Sequence, residues 1–544
     1  MRIIFFPILL SLTFNINIFS QNLFIRLNQV GFLPGDIKTG IVISENKIED
    51  ESFHILNSAD TLIVFSGKLS ENQSSYGNFK YIYNFNFSKF NTTGSYVIRI
   101  DRTTSYAFTI DTCVYNSVVD SLLKFFQVQR CGSTKPYLHK ECHLSDATEL
   151  NGFADSTVYN LTGGWHDAGD YIKFFSTTAL TTYMLLFSYQ FDEEKFGFDN
   201  DGNNIPDILE EAKVGLDWLL KSNLSDTLFV LQVQDENDHK VGWRMPEDDS
   251  LAINRPGFTG IGRNQIGIFS AVMALASQIW IEKFNNDKFS NDCLTAAVQK
   301  FSLIGSVPEF DTVSTYYKDH NYFGKLALGA IELYNATAED DYLQMAATFA
   351  DSAGSDFWWS WGDINSLADY KIAKVLPRFS DKIKANLNHF NLMKDSTLFN
   401  RATIYSWGTT TSLLGAALQA ILYKKLTSSD RYDSLLIFQR DYILGRNPWG
   451  ISFITKAGKN FPGHPHHQIA YFIKDGIPGA LVAGPAKSEF YKRYNVKLKE
   501  NHTGKFNTKD AEYFDDWEDY LSNEATIFGN ATALFVYGNY MCHR

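Results

Sequence analysis

The sequence predicts two domains, a small all-β sandwich followed by a large all-α domain of barrel or toroid type. Three observations carry this. The chain has 544 residues, too many for one ordinary hydrophobic core. Up to about residue 112 apolar residues alternate in short runs, and beyond it they recur at helical spacing. No repeat of fixed short period runs through the helical part, which disfavours a solenoid.

Residues 1–21 precede both domains. MRIIFFPILLSLTFNINIFSQ has Arg2, an apolar run and a polar exit, the pattern of a cleaved export signal. The run is too short for a membrane span, and no later stretch approaches 18 consecutive apolar residues. No cysteine follows it at a lipobox position. The expectation is a secreted or periplasmic protein with no membrane partner. Residues 22–112 then give LFIRLNQVGFLP, KTGIVISE, ESFHIL, TLIVFSGKL, FKYIYNFNF, GSYVIRI and SYAFTI, separated by turn formers such as Pro34-Gly35 and Thr93-Gly94; this is sandwich spacing. From residue 113 to 544 the pattern is helical. VYNSVVDSLLKFFQVQR comes first, then IPDILEEAKVGLDWLLKSN, with Pro206 near its first turn and acids early, as proline's missing N–H and the helix dipole favour. Further helices follow, ending with ATIFGNATALFVYGNY, and several are apolar on more than one side.

The net charge of −12 and the lack of a basic run argue against a nucleic-acid partner. Aromatic residues make up 15% of the chain. Tyr and Trp faces suit stacking on sugar rings, but a bulk excess also follows from a composition rich in Phe, Tyr, Asn, Ile and Lys. The five cysteines are Cys113, Cys131, Cys142, Cys293 and Cys542. They make no disulfide-dense scaffold, although one bridge can form in an oxidising compartment.

Three segments carry chemistry. GGWHDAGDYIKF (163–174) sets Asp167 and Asp170 three residues apart in a glycine-rich turn. Two carboxylates near one water make a base and a holder for it; the alternative is Asp170 as a helix cap. YFDDWEDYLSNEATIFGNA (513–531) crowds Asp515, Asp516, Glu518, Asp519 and Glu524 around Trp517 and Tyr520. An acid flanked by aromatics at the start of an apolar helix can have a raised pKa; the alternative is a solvated acidic loop. NPWGISFITKAGKNFPGHPHHQ (447–468) clusters His464, His466 and His467 between prolines and glycines, a spacing unlike two zinc-binding histidines on one helix face.

In their order and spacing these segments resemble glycoside hydrolase family 9, once called cellulase family E. The segments DYILGRNPWGISF and IPGALVAGP also look like that family, and IRLNQVGFLP…GSYVIRI…FFQVQRCG is similar to the immunoglobulin-like module preceding one of its subgroups. The resemblance implies an immunoglobulin-like sandwich over 22–112 and an (α/α)6 barrel over 113–544. It implies an inverting hydrolase of β-1,4-glucosidic bonds in cellulose-type glucans or cello-oligosaccharides, endoglucanase-like. Asp170 would be the general base, Asp167 the water holder and Glu524 the general acid. His466 would bond a sugar hydroxyl, Asp515 would order the loop carrying Glu524, and Trp165, Tyr520 and Gln468 would face substrate. Gln468 departs from the family pattern, which has Arg there; losing a charged fork puts endo specificity in question. The alternatives are an exo-acting glucosidase or glucosaminidase, and a non-catalytic sugar-binding protein.

No cofactor is expected for the chemistry. Cys131, Cys142, His143 and His166 make a closed tetrahedral zinc set, and the subgroup resembled carries a structural zinc of this pattern. The alternative is a Cys131–Cys142 disulfide. Asp199, Asp201, Asn203 and Glu210 are candidate calcium ligands, although Asn204 stands where an EF-hand loop requires Gly. No dockerin or separate carbohydrate-binding module is seen beyond the last helix, and the sandwich is expected to pack on the barrel.

Overall fold

The computed structural model describes residues 22–151, 159–253, 255–313, 316–498 and 503–543. The expected export signal lies outside them. The N-terminal strands are β1 (Leu23–Arg26), β2 (Gly31–Phe32), β3 (Thr39–Ser44), β4 (Ser52–Asn57), β5 (Ile63–Lys68), β6 (Ser70–Asn72), β7 (Tyr81–Asn86), β8 (Gly94–Ile100), β9 (Thr103–Thr104) and β10 (Phe108–Ile110). They form two sheets, in the orders β1-β3-β7-β6 and β2-β10-β8-β4-β5, with β9 on β8. Alternation explains β8: Tyr96, Ile98 and Ile100 point inward and share a core with Phe32, Phe53, Phe87 and Phe108.

β3 departs from alternation because both its faces are covered. Val42 enters the sandwich core, whereas Ile41 and Ile43, with Ile82 of β7, join the core of the helical domain. Fully burying each such side chain stabilises by roughly 1.5–3 kcal/mol, so the sandwich is docked by apolar contact. Polar bonds fix its register: Arg26 Nε donates to the Pro448 carbonyl at 2.9 Å, and Arg440 pairs with Asp36 at 2.9 Å.

The helices are α1 (Asn116–Gln129), α2 (Phe175–Phe191), α3 (Glu193–Phe196), α4 (Asp207–Ser222), α5 (Arg263–Phe284), α6 (Asp287–Phe301), α7 (Phe323–Thr337), α8 (Asp340–Ala353), α9 (Asn365–Ala373), α10 (Ser380–Ser396), α11 (Thr409–Thr427), α12 (Asp433–Ile443), α13 (Gln468–Phe472), α14 (Ser488–Tyr494) and α15 (Ile527–Gly538). Helices α2, α5, α7, α9, α11 and α15 pack each on the next, and α15 returns to α2, closing a ring. Around it α1, α4, α6, α8, α10 and α12 each pack on a ring helix. This is the (α/α)6 barrel. Ring helices touch protein on all sides, so α2 and α11 are buried almost throughout, while α4 shows one apolar stripe. Helix α5 is long and apolar enough to cross a membrane, but most of it is buried in the barrel. A disulfide joins Cys113, just before α1, to Cys542, just after α15, and closes the barrel at its chain ends.

Candidate active site

The turn before α2, the histidine segment and the start of α15 meet at Gly169. Its N–H donates to Glu524 Oε1 at 3.3 Å. Its carbonyl accepts the Gln468 N–H at 2.9 Å. A methyl group on its Cα would lie 2.2 Å from the His466 carbonyl oxygen, so only glycine lets the two backbones approach this closely. Nearby, the Asp167 carbonyl accepts the Ile527 N–H at 3.0 Å, fixing the start of α15. The His466 N–H bonds the Asn523 carbonyl at 2.8 Å. Segments more than 350 residues apart in sequence are thereby set within hydrogen-bond range.

The carboxyls differ in setting. Asp170 remains partly open; its Oδ1 accepts the Ile172 N–H at 3.0 Å and its Oδ2 pairs with His239 Nε2 at 2.9 Å. That bond raises the His239 pKa. Asp167 is buried; its Oδ2 accepts a short bond from the Tyr317 hydroxyl, and its Oδ1 has no protein partner. Burial pushes it up to about 7, against the pull of hydroxyl donors. Glu524 is pushed well above the usual carboxyl range, by burial first and then by the Asp170 charge. A buried carboxyl pushed up beside one that remains partly open is the difference of setting that acid–base hydrolysis requires.

Around them, His466 Nδ1 lies 2.5 Å from the Trp517 carbonyl, and its ring stands edge-on to Trp243 at 5.2 Å. Asp515 accepts the N–H groups of Gly463 and His464 at 2.9 and 2.8 Å and the Asn523 amide at 3.3 Å. It therefore ties the histidine segment to the residue preceding Glu524. Tyr520 is partly exposed, 6.0 Å from the His466 ring. A recess of about 350 Å³ lies beside His466, lined by Trp243, Tyr471, Trp517, Asp515 and Glu518.

Two expected substrate residues face elsewhere. Trp165 is fully buried and donates through Nε1 to Glu211 at 2.7 Å; Gly163 and Gly164, both at positive φ, turn it inward. Gln468 is buried as well. Its Oε1 accepts the Arg244 N–H at 3.2 Å and lies 3.4 Å from Arg244 Nη1, while its Nε2 reaches Asp238 at 3.4 Å. It is a strut inside the protein. No local motif marks Tyr317, His239 or Trp361, whose ring stands 4.9 Å from Tyr317; they reach the site by long-range folding alone.

Cys131, Cys142, His143 and His166 bring one ligand atom each within 4.8 Å of the others, all buried. Both cysteines are free thiols, so the expected alternative bridge is not formed. His143 Nδ1 and His166 Nε2 face each other at 3.0 Å, and His143 Nε2 bonds Asp249 at 3.0 Å, the outer-shell carboxylate typical of a metal-bound histidine. The residues fit a metal ion. In the second expected site the grouped acids are Asp199, Asp201 and Asp207. Glu210 instead accepts the Asn203 amide at 2.6 Å, and Asp199 accepts N–H groups of its own loop from Gly202 and Asn204.

The family model of glycosyl hydrolase family 9 matches residues 115–537, and that of the cellulase N-terminal ig-like domain matches residues 21–105. A xyloglucan-specific endo-beta-1,4-glucanase of Bacteroides ovatus is 26% identical, over 94% of this chain and 92% of that protein. A cellodextrinase of Butyrivibrio fibrisolvens is 25% identical, over 94% and 98%. Among solved structures, a metagenome-derived glycoside hydrolase family 9 endoglucanase superimposes with a TM-score of 0.81 at 24% identity, covering 95% of this chain and 99% of that one.

Proposed function

The chain belongs to glycosyl hydrolase family 9, and from that premise we propose an inverting hydrolase that cuts β-1,4-linked glucan within the chain. Asp170 is the general base. Its partly open carboxylate takes a proton from a water that Asp167, held by Tyr317, helps to orient. Glu524, kept protonated by burial, delivers a proton to the leaving glycosidic oxygen. Inversion needs these groups on opposite faces of the sugar with room for the water between them. The observation that carries this reading is the junction at Gly169, which links the Asp turn to Glu524 through one N–H.

Cys131, Cys142, His143 and His166 would hold a structural zinc, which supplies cross-linking there and no step of the reaction. It would tie α1 and the 142–146 turn to His166, the residue before Asp167. Export is part of the reading, and the Cys113–Cys542 bridge supports it, since such bonds persist in oxidising compartments.

Reducing-sugar release from soluble β-glucan, cello-oligosaccharides and xyloglucan tests the proposal. Glu524→Gln should lower kcat by roughly 10²–10⁴-fold with an unchanged melting temperature. A wild-type protein that binds these sugars and releases none would sink it.

A further inference from the structure

The turn that carries Asp167 and Asp170 is held from behind by one amide. Gln129 is the last residue of α1 and is completely buried. Its Nε2 donates to the His166 carbonyl at 3.1 Å and to the Ala168 carbonyl at 2.6 Å. These are the two carbonyls that flank Asp167. The Gln129 carbonyl also accepts the His166 N–H at 2.8 Å.

The amide is locked in one orientation. A glutamine presents an acceptor and a donor of nearly the same shape, and its partners decide which faces where. Here Oε1 lies 2.7 Å from His467 Nε2. His467 Nδ1 accepts the Ala470 N–H at 3.4 Å and caps α13. The proton of the neutral ring therefore sits on Nε2, which donates to Gln129. Burial keeps the ring neutral, with its pKa pushed down to about 3. A reversed amide would set N–H against N–H at His467 and oxygen against the two carbonyls of the turn.

Peptide planarity carries this orientation to both sides of the reaction. The His166 carbonyl and the Asp167 N–H belong to one peptide unit. Gln129 holds its oxygen, and the Ile172 carbonyl accepts from its nitrogen at 3.0 Å. The Ala168 carbonyl and the Gly169 N–H belong to another. Gln129 holds that oxygen too, and Glu524 Oε1 accepts from that nitrogen at 3.3 Å. Rotating the first unit would swing Asp167; rotating the second would release Glu524.

We propose that Gln129, oriented by His467, is a positioning residue that sets Asp167 and Glu524 relative to each other through these two peptide units. This rests on the β-glucanase reading above. Gln129 acts on groups that work in the bond-breaking step, so its loss lowers kcat and leaves sugar binding as it was.

The test compares wild type with four variants on soluble β-glucan. Gln129→Met keeps the length and loses the bonds. His467→Phe keeps a ring beside Phe125 and loses the Nε2 donor, whereas His467→Gln restores a donor. The fourth variant combines Gln129→Met with His467→Phe. We expect kcat to fall about 100-fold in Gln129→Met and roughly tenfold in His467→Phe, for one lost hydrogen bond. His467→Gln should stay within about threefold of wild type. The double variant should fall no further than Gln129→Met, because the two side chains act as one unit. Cellohexaose titrated by calorimetry into Glu524→Gln, with and without Gln129→Met, should bind with the same stoichiometry and with affinity within about twofold; a variant that merely misfolds would lose binding sites. A Gln129→Met enzyme that keeps more than about a third of wild-type kcat overturns the proposal. So does hexaose binding that falls in step with kcat, or a His467→Gln enzyme as impaired as His467→Phe, a comparison that stands even where Gln129→Met fails to fold. A wild type that releases no sugar overturns the glucanase reading, and the role of Gln129 with it.

Discussion

Gly169→Ala isolates the junction on which the catalytic reading depends. The residue's φ lies outside the positive range, so alanine brings no backbone strain of its own; the whole effect is contact. The added Cβ would sit 2.2 Å from the His466 carbonyl oxygen, 3.0 Å from its carbon and 3.1 Å from His467 Cα. All three are backbone atoms, and no rotamer relieves them. An ordinary carbon–oxygen contact is longer by about 1 Å, and misplacing catalytic groups by that much costs about 10²-fold in rate. The neighbouring backbone cannot move freely, because His466 N–H is held by Asn523 at 2.8 Å and Gln468 N–H by Gly169 itself at 2.9 Å. The turn must therefore shift, lengthening the Gly169–Glu524 bond and carrying Asp170 with it. We expect kcat on soluble β-glucan to fall about 100-fold, and the melting transition to drop by an overpacking cost of about 1–3 kcal/mol. Gly305→Ala, where a Cβ meets nothing within 4 Å, is the control. A Gly169→Ala enzyme with more than half of wild-type kcat, or a control that loses as much, refutes the reasoning.

Two further outcomes follow from buried groups. A strong chelator should lower the melting temperature and release one zinc per chain, measured by atomic emission, and Cys131→Ser should do so without chelator; unchanged melting and no bound metal would remove zinc from the account. Asp356 is buried, with Oδ2 accepting the Ser366 N–H at 2.7 Å, and burial pushes it up to about 7. A carboxyl raised in the folded state stabilises fully below its unfolded pKa of about 3.8, and that contribution is lost as pH rises towards 7, up to about 4 kcal/mol. Asp356→Asn should therefore flatten the decline of the urea midpoint between about pH 4 and pH 7, and an unchanged slope would exclude this group.

Much of the fold was legible because periodicity reports burial on one face. It stopped being legible where burial is two-sided: β3 reads as an apolar run because Ile41 and Ile43 serve the barrel while Val42 serves the sandwich. At the site, acids inside glycine and aromatic motifs were visible locally. Tyr317 was not, because its bond to Asp167 spans 150 residues of sequence and no local pattern marks it. Trp165 misled for a related reason. A tryptophan beside a catalytic turn looks like a sugar platform, but its direction is set by two left-handed glycines and by Glu211, which lies on α4.

Gln468 sharpens the same point. As a departure from the family's arginine it invites a specificity argument, on the assumption that the side chain reaches substrate. The structure gives that space to Arg244, whose guanidinium bonds Asp238 at 2.6 Å and Asp249 at 2.7 Å and lies over the Tyr171 ring. Arg255 is close to both acids, 3.9 and 3.8 Å from Asp238 and Asp249. A third guanidinium, at position 468, would enter a buried network already supplied with cations, without a free carboxylate to neutralise it, and burying an unpaired charge costs several kcal/mol. A neutral amide that accepts from Arg244 and donates to Asp238 avoids that cost. The glutamine is accordingly a consequence of where this chain keeps its arginine. On the proposed function, sugar meets instead the residues that line the recess beside His466, Trp243, Trp517 and Tyr471.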